Sequence, residues 1–248
     1  MTRIFLLFSP LLLALSWYPS QGFIPHHTFH TTTSTLWFTP TTRTPTNFKT
    51  QLNFFQNIIE SLTGSTKSPS SNSAGEVVVA KRESLKAALL EACRNPATKN
   101  KKQQRATVEA LMEELQQVNP TTSTASSLLL QRRWALEWTT EKEINFFLDV
   151  GLSNQITQTI STTTIGNRIE FVRAGGFYVD GTLSIPDPKG CRTDFEFTTA
   201  TLNLGERWGQ YTFPPVGSGW FETLYLDDTL RVDINSRSDI LICTPLPN

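Results

Sequence analysis

The side chains best suited to catalysis are scarce in this 248-residue chain, and their positions are informative. All three histidines lie within a segment that is predicted below to be removed: His26, His27 and His30. A mature chain without histidine has no Ser/His/Asp triad, no Cys/His pair and no imidazole ligand for a metal. We therefore predict no catalytic residues, no metal site and no cofactor, and we expect a protein that is not an enzyme.

Carboxylates are the remaining candidates for acid–base or metal chemistry, and Asp227 and Asp228 lie side by side. Such a pair could bind a cation, but neighbouring acids at a strand reversal more often accept hydrogen bonds within the turn itself. The nearby Gly217–Gly219 stretch lacks the lysine and the helix of a phosphate-binding loop, so it predicts a turn as well. Neither motif predicts a reaction.

Large apolar side chains offer binding chemistry instead. On the strands predicted below, the members of this set share one face: Trp134, Leu136, Trp138, Phe177, Phe195, Phe197 and Trp220. Facing one interior, they would form a pocket for a polyisoprenoid or acyl chain, whose burial contributes about 25 cal/mol per Å² of apolar surface. The alternative is a solid core, because the interiors of small barrels are often filled by side chains.

Two helices and then a series of short strands must position these residues. Apolar residues at helical spacing predict two helices within 77–119, the first ending at Pro96 and the second before Pro120. After the polar linker Thr121–Ser127 the apolar period changes to two, with Gly, Pro, Asn and Asp turns between the strands. Within this region, Glu141–Val150 returns to helical spacing, which indicates a short helix or lid at a barrel mouth.

These elements predict a mainly β fold: an antiparallel β-barrel with an N-terminal two-helix extension. Its closing element runs from Phe213 to Val232, where a proline–glycine corner leads into an aromatic-rich strand, an acidic turn and a second strand. A barrel of this size holds a small apolar ligand. Trp220 and Phe221 at the corner either dip into a lipid interface or face inward and close the barrel end.

The first 75 residues are typical of targeting segments. Residues 1–22 combine a basic residue, an apolar run too short to span a bilayer comfortably and small final residues, which predicts a signal peptide; a membrane anchor is the alternative. Residues 23–75 are rich in Thr, Ser and Pro and nearly free of acids, which predicts a disordered, transit peptide-like segment. Secretion with a mucin-like stalk is the competing interpretation. The apolar stripe at 51–62 belongs either to this segment or to the mature protein.

The distribution of charge and the spacing of the cysteines indicate which partners and which disulfides to expect. The formal charge of the chain is zero, but residues 1–75 hold four of its 22 basic and one of its 22 acidic residues. The remainder carries about three net negative charges, which argues against a nucleic-acid partner because phosphates require a basic face. The cysteines are odd in number and widely spaced, which predicts buried thiols and no disulfide: Cys93, Cys191 and Cys243.

The body of the chain resembles the plastid lipid-associated proteins, also called fibrillins or plastoglobulins, over about residues 80–245. These stretches carry the resemblance: Asn119–Thr121, Arg133–Glu141, Asn167–Phe171 and Pro214–Val232. One departure is Arg132, which stands where the family usually has a glycine two residues before the first-strand tryptophan. Its long side chain needs room or solvent. With Phe23 after a signal peptide, the front of the chain resembles the bipartite presequence of algae with secondary plastids.

The resemblance implies a lipocalin-like barrel at 121–248, preceded by a helical extension at 76–120. It implies a protein that binds, sequesters or transports isoprenoid quinones, tocopherols, carotenoids or fatty acids, with a peripheral membrane or lipid-droplet surface as partner. The implied location is the plastid, at thylakoids or plastoglobules, after import through the endoplasmic reticulum. The alternatives are a lipid isomerase or cyclase of lipocalin type and a non-binding coat protein of plastid lipid bodies. The enzymatic alternative needs an inward-pointing polar group from this set: Glu137, Tyr178, Glu196 and Tyr225.

The resemblance also singles out Arg231, whose parity is opposite to that of Leu230, Val232 and Ile234. In lipocalins an arginine from a late strand covers the first-strand tryptophan at the closed end. Arg231 is therefore expected to stack on Trp134, a contact of about 0.5–2 kcal/mol. The other role open to Arg231 is to anchor the acidic head of a ligand.

Overall fold

The computed structural model describes three stretches of the chain: residues 71–94, 100–214 and 217–247. One compact unit contains the helices from Val77 onward and the described strands. Of the other unit, Gln21–Glu76, only the first residues of the first helix belong to the described part. The predicted signal peptide, nearly all of the transit-like segment, its apolar stripe and the three histidines lie outside the described residues.

Two helices precede the strands, as the apolar spacing predicts: α1 (Ser71–Arg94) and α2 (Lys101–Gln117). α1 begins a few residues before the predicted start of the helical extension at 76. α2 begins where the Asn100 side chain accepts hydrogen bonds from the N–H groups of Lys102 and Gln103, at 3.1 and 3.4 Å. This cap satisfies donors that have no partner inside the helix. None of the described helices is long and apolar enough to cross a membrane.

The strands follow in an antiparallel meander, interrupted after the first strand by a third helix, α3 (Lys142–Asp149). The strand bounds are β1 Arg133–Thr139, β2 Ser153–Ile160, β3 Thr164–Phe171, β4 Gly176–Ser184, β5 Arg192–Asn203, β6 Gln210–Phe213, β7 Gly217–Leu226, β8 Arg231–Asn235 and β9 Ile240–Pro245. The helix predicted within Glu141–Val150 is therefore present.

The sheet closes on itself into an eight-stranded barrel, which confirms the predicted lipocalin-like fold. β1 pairs with β9 to complete the ring. β5 pairs with β6 along one half and with β7 along the other, so these two segments share one position in the wall. At Gly181, where β4 shifts register against β5, a Cβ would collide with the carbonyl oxygen of Glu196. Glycine therefore allows the close approach of the two strands.

α1 and α2 cover the outer face of β7, β8 and β9. One apolar cluster joins these surfaces: Leu89, Cys93, Val108, Met112, Leu115, Tyr225, Leu230, Val232, Ile240 and Ile242. Beside it, Nζ of Lys86 lies 2.8 Å from Oδ2 of Asp227, and each of the two side chains is only 9% exposed. Oδ1 of Asp227 accepts hydrogen bonds from the N–H groups of Thr229 and Leu230, both at 2.8 Å. Asp227 therefore closes the turn between β7 and β8, as the sequence predicts.

The linker between α2 and β1 lies along the edge of β7, where β7 extends past the start of β5. The Asn119 side chain donates to the carbonyl oxygen of Leu224 at 3.2 Å and accepts from the N–H of Leu226 at 3.1 Å. The hydroxyl groups of Thr121 and Thr124 donate to further β7 carbonyl oxygens, each at 2.7 Å. The linker thus satisfies backbone groups that would otherwise be left at a strand edge.

The two ends of the barrel are different. A 3-10 turn at Leu128–Leu130 covers one end, where Leu130 packs with Trp134; we call this the closed end. α3 lies over the opposite end, where its buried Phe147 packs with Phe177; we call this the mouth. A molecule inside the barrel would therefore meet the start of β1 and β8 at one end and α3 at the other.

Candidate functional site

A cavity of about 180 Å³ lies inside the barrel and is lined by residues from both ends. One buried water needs ~10–15 Å³ on this scale, so roughly a dozen waters fit, equal to about 360 Å³ of liquid. That size is at the lower end of small-molecule pockets, which span about 300–1,000 Å³. The exposed Ser236 and Arg237 line it beside α3, so the cavity reaches the surface at the mouth. The interior is hollow.

Most of the predicted pocket residues line this cavity: Trp134, Leu136, Phe177, Phe195, Phe197 and Arg231. Trp138 does not line it. β1 shifts register against β9 between Leu136 and Trp138, and this bulge turns Trp138 to the outer face of the barrel. There Trp138 lies opposite Ile242 and packs against the cluster that joins the barrel to α1 and α2. The prediction that side chains alternate strictly between the inside and the outside along β1 is therefore wrong at Trp138.

The corner residues Trp220 and Phe221 point in opposite directions, as neighbours on a strand do. Phe221 is 5% exposed and lines the cavity, which corresponds to the inward-facing alternative. Trp220, which the sequence also predicts to lie on the pocket face, does not line the cavity. It is half-buried outside, with the guanidinium of Arg192 over its ring at 5.0 Å from the centroid. Phe221 is thus unavailable to a lipid interface, and Trp220 is covered on one side.

At the closed end the expected stacking of Arg231 on Trp134 is present, with the guanidinium 5.0 Å from the ring centroid. Trp134 is fully buried, and its Nε1 donates to the carbonyl oxygen of Leu130 at 3.0 Å. Arg132, at the position of the family glycine, lies over the same ring at 5.5 Å. Its Nη1 donates to the carbonyl oxygen of Asp228 at 3.2 Å. The long side chain therefore finds its room beside Trp134 at the barrel end.

Arg231 is completely buried, so its charge requires a counter-ion. Nε of Arg231 lies 2.9 Å from Oδ2 of Asp233, and the Thr223 hydroxyl donates to Oδ1 of Asp233 at 2.8 Å. Burial raises the pKa of Asp233, and Arg231 and Thr223 oppose this rise. Nη2 of Arg231 donates to Oε1 of Gln158 at 2.6 Å and approaches Sγ of Cys243 at 3.5 Å. Burial raises the pKa of the Cys243 thiol to about 11, so the thiol is neutral.

Sequence reasoning missed the polar partners of Arg231. Nε2 of Gln158 donates to Oδ1 of Asn167 at 2.9 Å, which extends the network from Arg231 across β2 to β3. The signal was strand parity: Asp233 has the parity of Arg231, and Gln158 lies two residues from the inward-facing Ile156. A polar side chain with inward parity is a candidate partner for a buried charge.

Near the mouth the cavity wall includes Glu141, the residue immediately before α3. Burial raises the pKa of Glu141 to about 6; Arg237 opposes the rise, and Asp239 and Glu143 add to it. Nδ2 of Asn235 donates to its Oε1 at 2.7 Å. A carboxyl group with this pKa exchanges its proton near neutral pH.

The groups that the enzymatic alternative requires lie away from the cavity. Glu137 binds Arg94 and Thr244 on the outer face of β1, with contacts of 3.0 and 2.8 Å. Tyr225 belongs to the cluster under the helices, and its hydroxyl donates to Asp227 at 2.6 Å. Tyr178 donates to Glu170 at the barrel surface, and Glu196 is exposed. Within the described stretches, no group of three or more His, Cys, Asp and Glu residues could hold a metal ion.

The profile of the PAP_fibrillin family matches residues 83–211, just over half of the chain. The chain belongs to the PAP_fibrillin family. The match runs from within α1 into β6 and includes the aromatic residues that line the cavity between Trp134 and Phe197. The stretch Pro214–Val232 lies beyond the match, although it contributes to the resemblance seen in the sequence. The family assignment therefore rests on the first part of this PAP_fibrillin barrel and not on Arg231.

A curated relative extends the comparison. The chain is similar to probable plastid-lipid-associated protein 11, chloroplastic, from Arabidopsis thaliana, with 36% identity over 125 residues. These residues are 48% of this PAP_fibrillin chain and 57% of the relative, so the match spans less than two thirds of the relative's length. No solved structure matches the chain.

Proposed function

We propose that this PAP_fibrillin protein binds an isoprenoid or acyl lipid inside its barrel and shelters or carries it at a lipid surface of the plastid. The observation that carries the proposal is the mostly apolar cavity inside the barrel, open at the mouth and lined by Phe177, Phe195 and Phe197. Burial of apolar ligand surface supplies the affinity, at about 25 cal/mol per Å². The cavity is small for a long polyprenyl or carotenoid chain, so such a ligand enters with one end and leaves the rest at the mouth.

The plastid location is supported by the name of the relative, which is a chloroplastic plastid-lipid-associated protein. The composition of residues 1–75 supports delivery through the endoplasmic reticulum followed by plastid import. Association with thylakoids or plastoglobules is the finer part of the proposal. A fluorescent fusion of residues 1–75 that accumulates in the medium would contradict the route.

Attachment to a lipid surface is proposed to occur at the mouth. Large apolar side chains on α3, on β6 and on the neighbouring loops are 39–59% exposed: Leu148, Val150, Val172, Trp208 and Tyr211. Arg173 and Arg207 lie in the same loops, where they can contact anionic head groups. This arrangement would place the opening of the cavity against the lipid from which a ligand is taken.

The role proposed here is binding without catalysis. The side chains that a lipid isomerase was expected to need are bound elsewhere on the barrel. Several polar groups that line the cavity contact one another at its two ends: Gln158, Asn167, Arg231 and Asp233 at the closed end, and Glu141 and Asn235 at the mouth. Hydrogen bonds of this kind hold a cavity in shape.

Fluorescence of N-phenyl-1-naphthylamine, an uncharged apolar dye, tests the binding function. The full chain should bind the dye at one site, and lipids co-extracted from plastids should displace it and be identified by mass spectrometry. Leu136→Trp should abolish dye binding because the larger side chain fills the cavity. The matched control on the same strand is Trp138→Leu, which should keep dye binding and lower only stability because Trp138 packs outside. No dye binding by the wild type, or full binding by Leu136→Trp, would refute the proposal.

A further inference from the structure

The closed end of the cavity contains a buried donor whose partner the described residues do not supply. Nε and Nη2 of Arg231 contact Asp233, Gln158 and Cys243. Nε and Nη1 of Arg231 are both buried, and no atom of the described residues accepts a geometrically sound hydrogen bond from either. Nε still has the Asp233 carboxylate at 2.9 Å as its ion-pair partner, whereas Nη1 has no such contact. Arg231 itself lines the cavity. A guanidinium has five N–H donors, and leaving buried donors unsatisfied is costly. The site therefore favours a ligand that brings a hydrogen-bond acceptor.

The charge at this end is already balanced. The guanidinium of Arg231 is always protonated, and the carboxylate of Asp233 lies 2.9 Å from its Nε. Asp233 is only 1% exposed, so water screens the pair little. A ligand carboxylate beside Nη1 would place two negative charges next to one positive charge in an apolar interior, and an unbalanced buried charge is strongly disfavoured. A neutral acceptor meets the need of Nη1 without that cost.

A ligand hydroxyl is a poorer match than a carbonyl oxygen. A hydroxyl also brings a donor, which must find its own acceptor once it is buried. The nearest acceptors each already accept one hydrogen bond, since Oε1 of Gln158 accepts from Arg231 and Oδ1 of Asn167 accepts from Gln158, so a ligand hydroxyl would have to share one of these oxygens. Oδ1 of Asp233 accepts from Thr223. A carbonyl oxygen has only acceptor capacity, so it fits this end without a further partner.

We propose that the cavity selects an uncharged ligand with a carbonyl oxygen at its leading end, such as a quinone, ketone or ester, and that this oxygen accepts a hydrogen bond from Nη1 of Arg231. The inference rests on the proposed binding function and specifies the ligand class. The apolar remainder of the ligand extends along Phe195 and Phe197 towards the mouth. Hydrocarbons lack the acceptor, and fatty acids at neutral pH carry the wrong charge.

Three eleven-carbon compounds test the selection on the full chain: undecane, undecan-2-one and undecanoate, each displacing N-phenyl-1-naphthylamine at pH 8. Undecan-2-one should bind about ten- to a hundredfold more tightly than undecane, as expected for a hydrogen bond from a charged donor. Undecanoate should bind at least tenfold more weakly than undecan-2-one. Equal affinity for undecane and undecan-2-one, or tightest binding of undecanoate, would overturn the inference. Absence of binding by the dye and by all three compounds would instead refute the binding function itself.

The variant Asp233→Asn should reverse the order of affinity for undecan-2-one and undecanoate. It removes the counter-ion, so Arg231 is left with an unbalanced positive charge, and undecanoate should then bind more tightly than undecan-2-one. Undecanoate should also raise the melting temperature of Asp233→Asn more than that of the wild type. The matched control, Asp228→Asn, changes an exposed carboxylate outside the cavity and should keep the wild-type order. If Asp233→Asn binds with the wild-type order, the charge argument is wrong; if it does not fold, the three-compound comparison on the wild type still decides.

Discussion

The ion pair between Lys86 and Asp227 fastens α1 to the turn between β7 and β8, and replacing Asp227 with asparagine breaks it. Both side chains are 9% exposed, and Tyr225 also donates to the same carboxylate at 2.6 Å. Loss of one partner from a buried pair costs about 3–5 kcal/mol because the other charge stays buried. For a domain of this size, about 2–4 °C per kcal/mol converts this into a fall in melting temperature of roughly 6–20 °C. The asparagine oxygen can still accept the hydrogen bonds of the turn at the position of Oδ1, so the loss reports the two contacts at Oδ2: the ion pair with Lys86 and the hydrogen bond from Tyr225.

Urea unfolding followed by tryptophan fluorescence and far-ultraviolet circular dichroism measures this loss. The neighbouring Asp228→Asn is the matched control, since Asp228 is exposed and its change should stay within about 0.5 kcal/mol. Lys86→Met should cost about as much as Asp227→Asn, and the double variant should cost less than the sum of the two because each single change leaves one charge unpaired. Equal unfolding midpoints for Asp227→Asn and Asp228→Asn would refute the reasoning.

The pH dependence gives a second readout of the same pair. Burial alone would raise the pKa of Asp227, but hydrogen bonds from Lys86 and Tyr225 outweigh it and lower the pKa below its ordinary 3.8. A carboxyl group with a lowered folded-state pKa stabilises the fold above its unfolded pKa, and this contribution is lost as the pH falls through the folded pKa. The stability difference between the wild type and Asp227→Asn should therefore be constant near neutral pH and shrink below about pH 4.

Three further predictions concern the mouth, the linker and the closed end. Because burial raises the pKa of Glu141 to about 6, wild-type stability should fall by on the order of 2 kcal/mol as the pH rises from about 4.5 to 6, and Glu141→Gln should abolish this dependence in urea titrations. Asn119→Ala leaves two backbone groups of β7 without their partner and should cost about 1–3 kcal/mol, with faster amide hydrogen exchange at Leu224 and Leu226. Arg132→Gly removes the outer stacking partner of Trp134 and should cost about 0.5–2 kcal/mol in thermal unfolding while the barrel still closes.

Most of the barrel could be predicted because its helices, strands and turns are determined mainly by residues that lie close together in the sequence. The spacing of the apolar residues changes from helical to alternating after Thr121, which separates the helices from the strands. A proline shortly after Arg94 marks the end of α1, and Asn100 marks the start of α2. The stacking of Arg231 on Trp134 followed from a family resemblance combined with strand parity. These features depend on residues close in sequence or on a recurring fold, so a single sequence contains them.

What could not be predicted depends on contacts between distant segments. A bulge in β1 is one extra residue with no sequence signal of its own, yet it turns Trp138 out of the cavity. The polar linker looked like a connector, but Asn119 and Thr121 serve as partners for the edge of β7 because β5 begins too late to cover it. Cavity volume is a small difference between the space that the strands enclose and the side chains that fill it, so parity alone could not decide between a hollow and a solid barrel.

A variant that removes both charges at the closed end can separate a structural role of Arg231 from a binding role. Replacing a buried ion pair by apolar residues of similar volume is often neutral or stabilising by about 1–4 kcal/mol, which would offset the about 0.5–2 kcal/mol lost from stacking on Trp134. The double variant Arg231→Met with Asp233→Leu should therefore fold with at least the wild-type melting temperature. It should also bind undecane and undecan-2-one equally, because the donor is gone. If the double variant melts far below the wild type in circular dichroism, the pair is needed for the stability of the closed end, and stability alone would then account for Arg231.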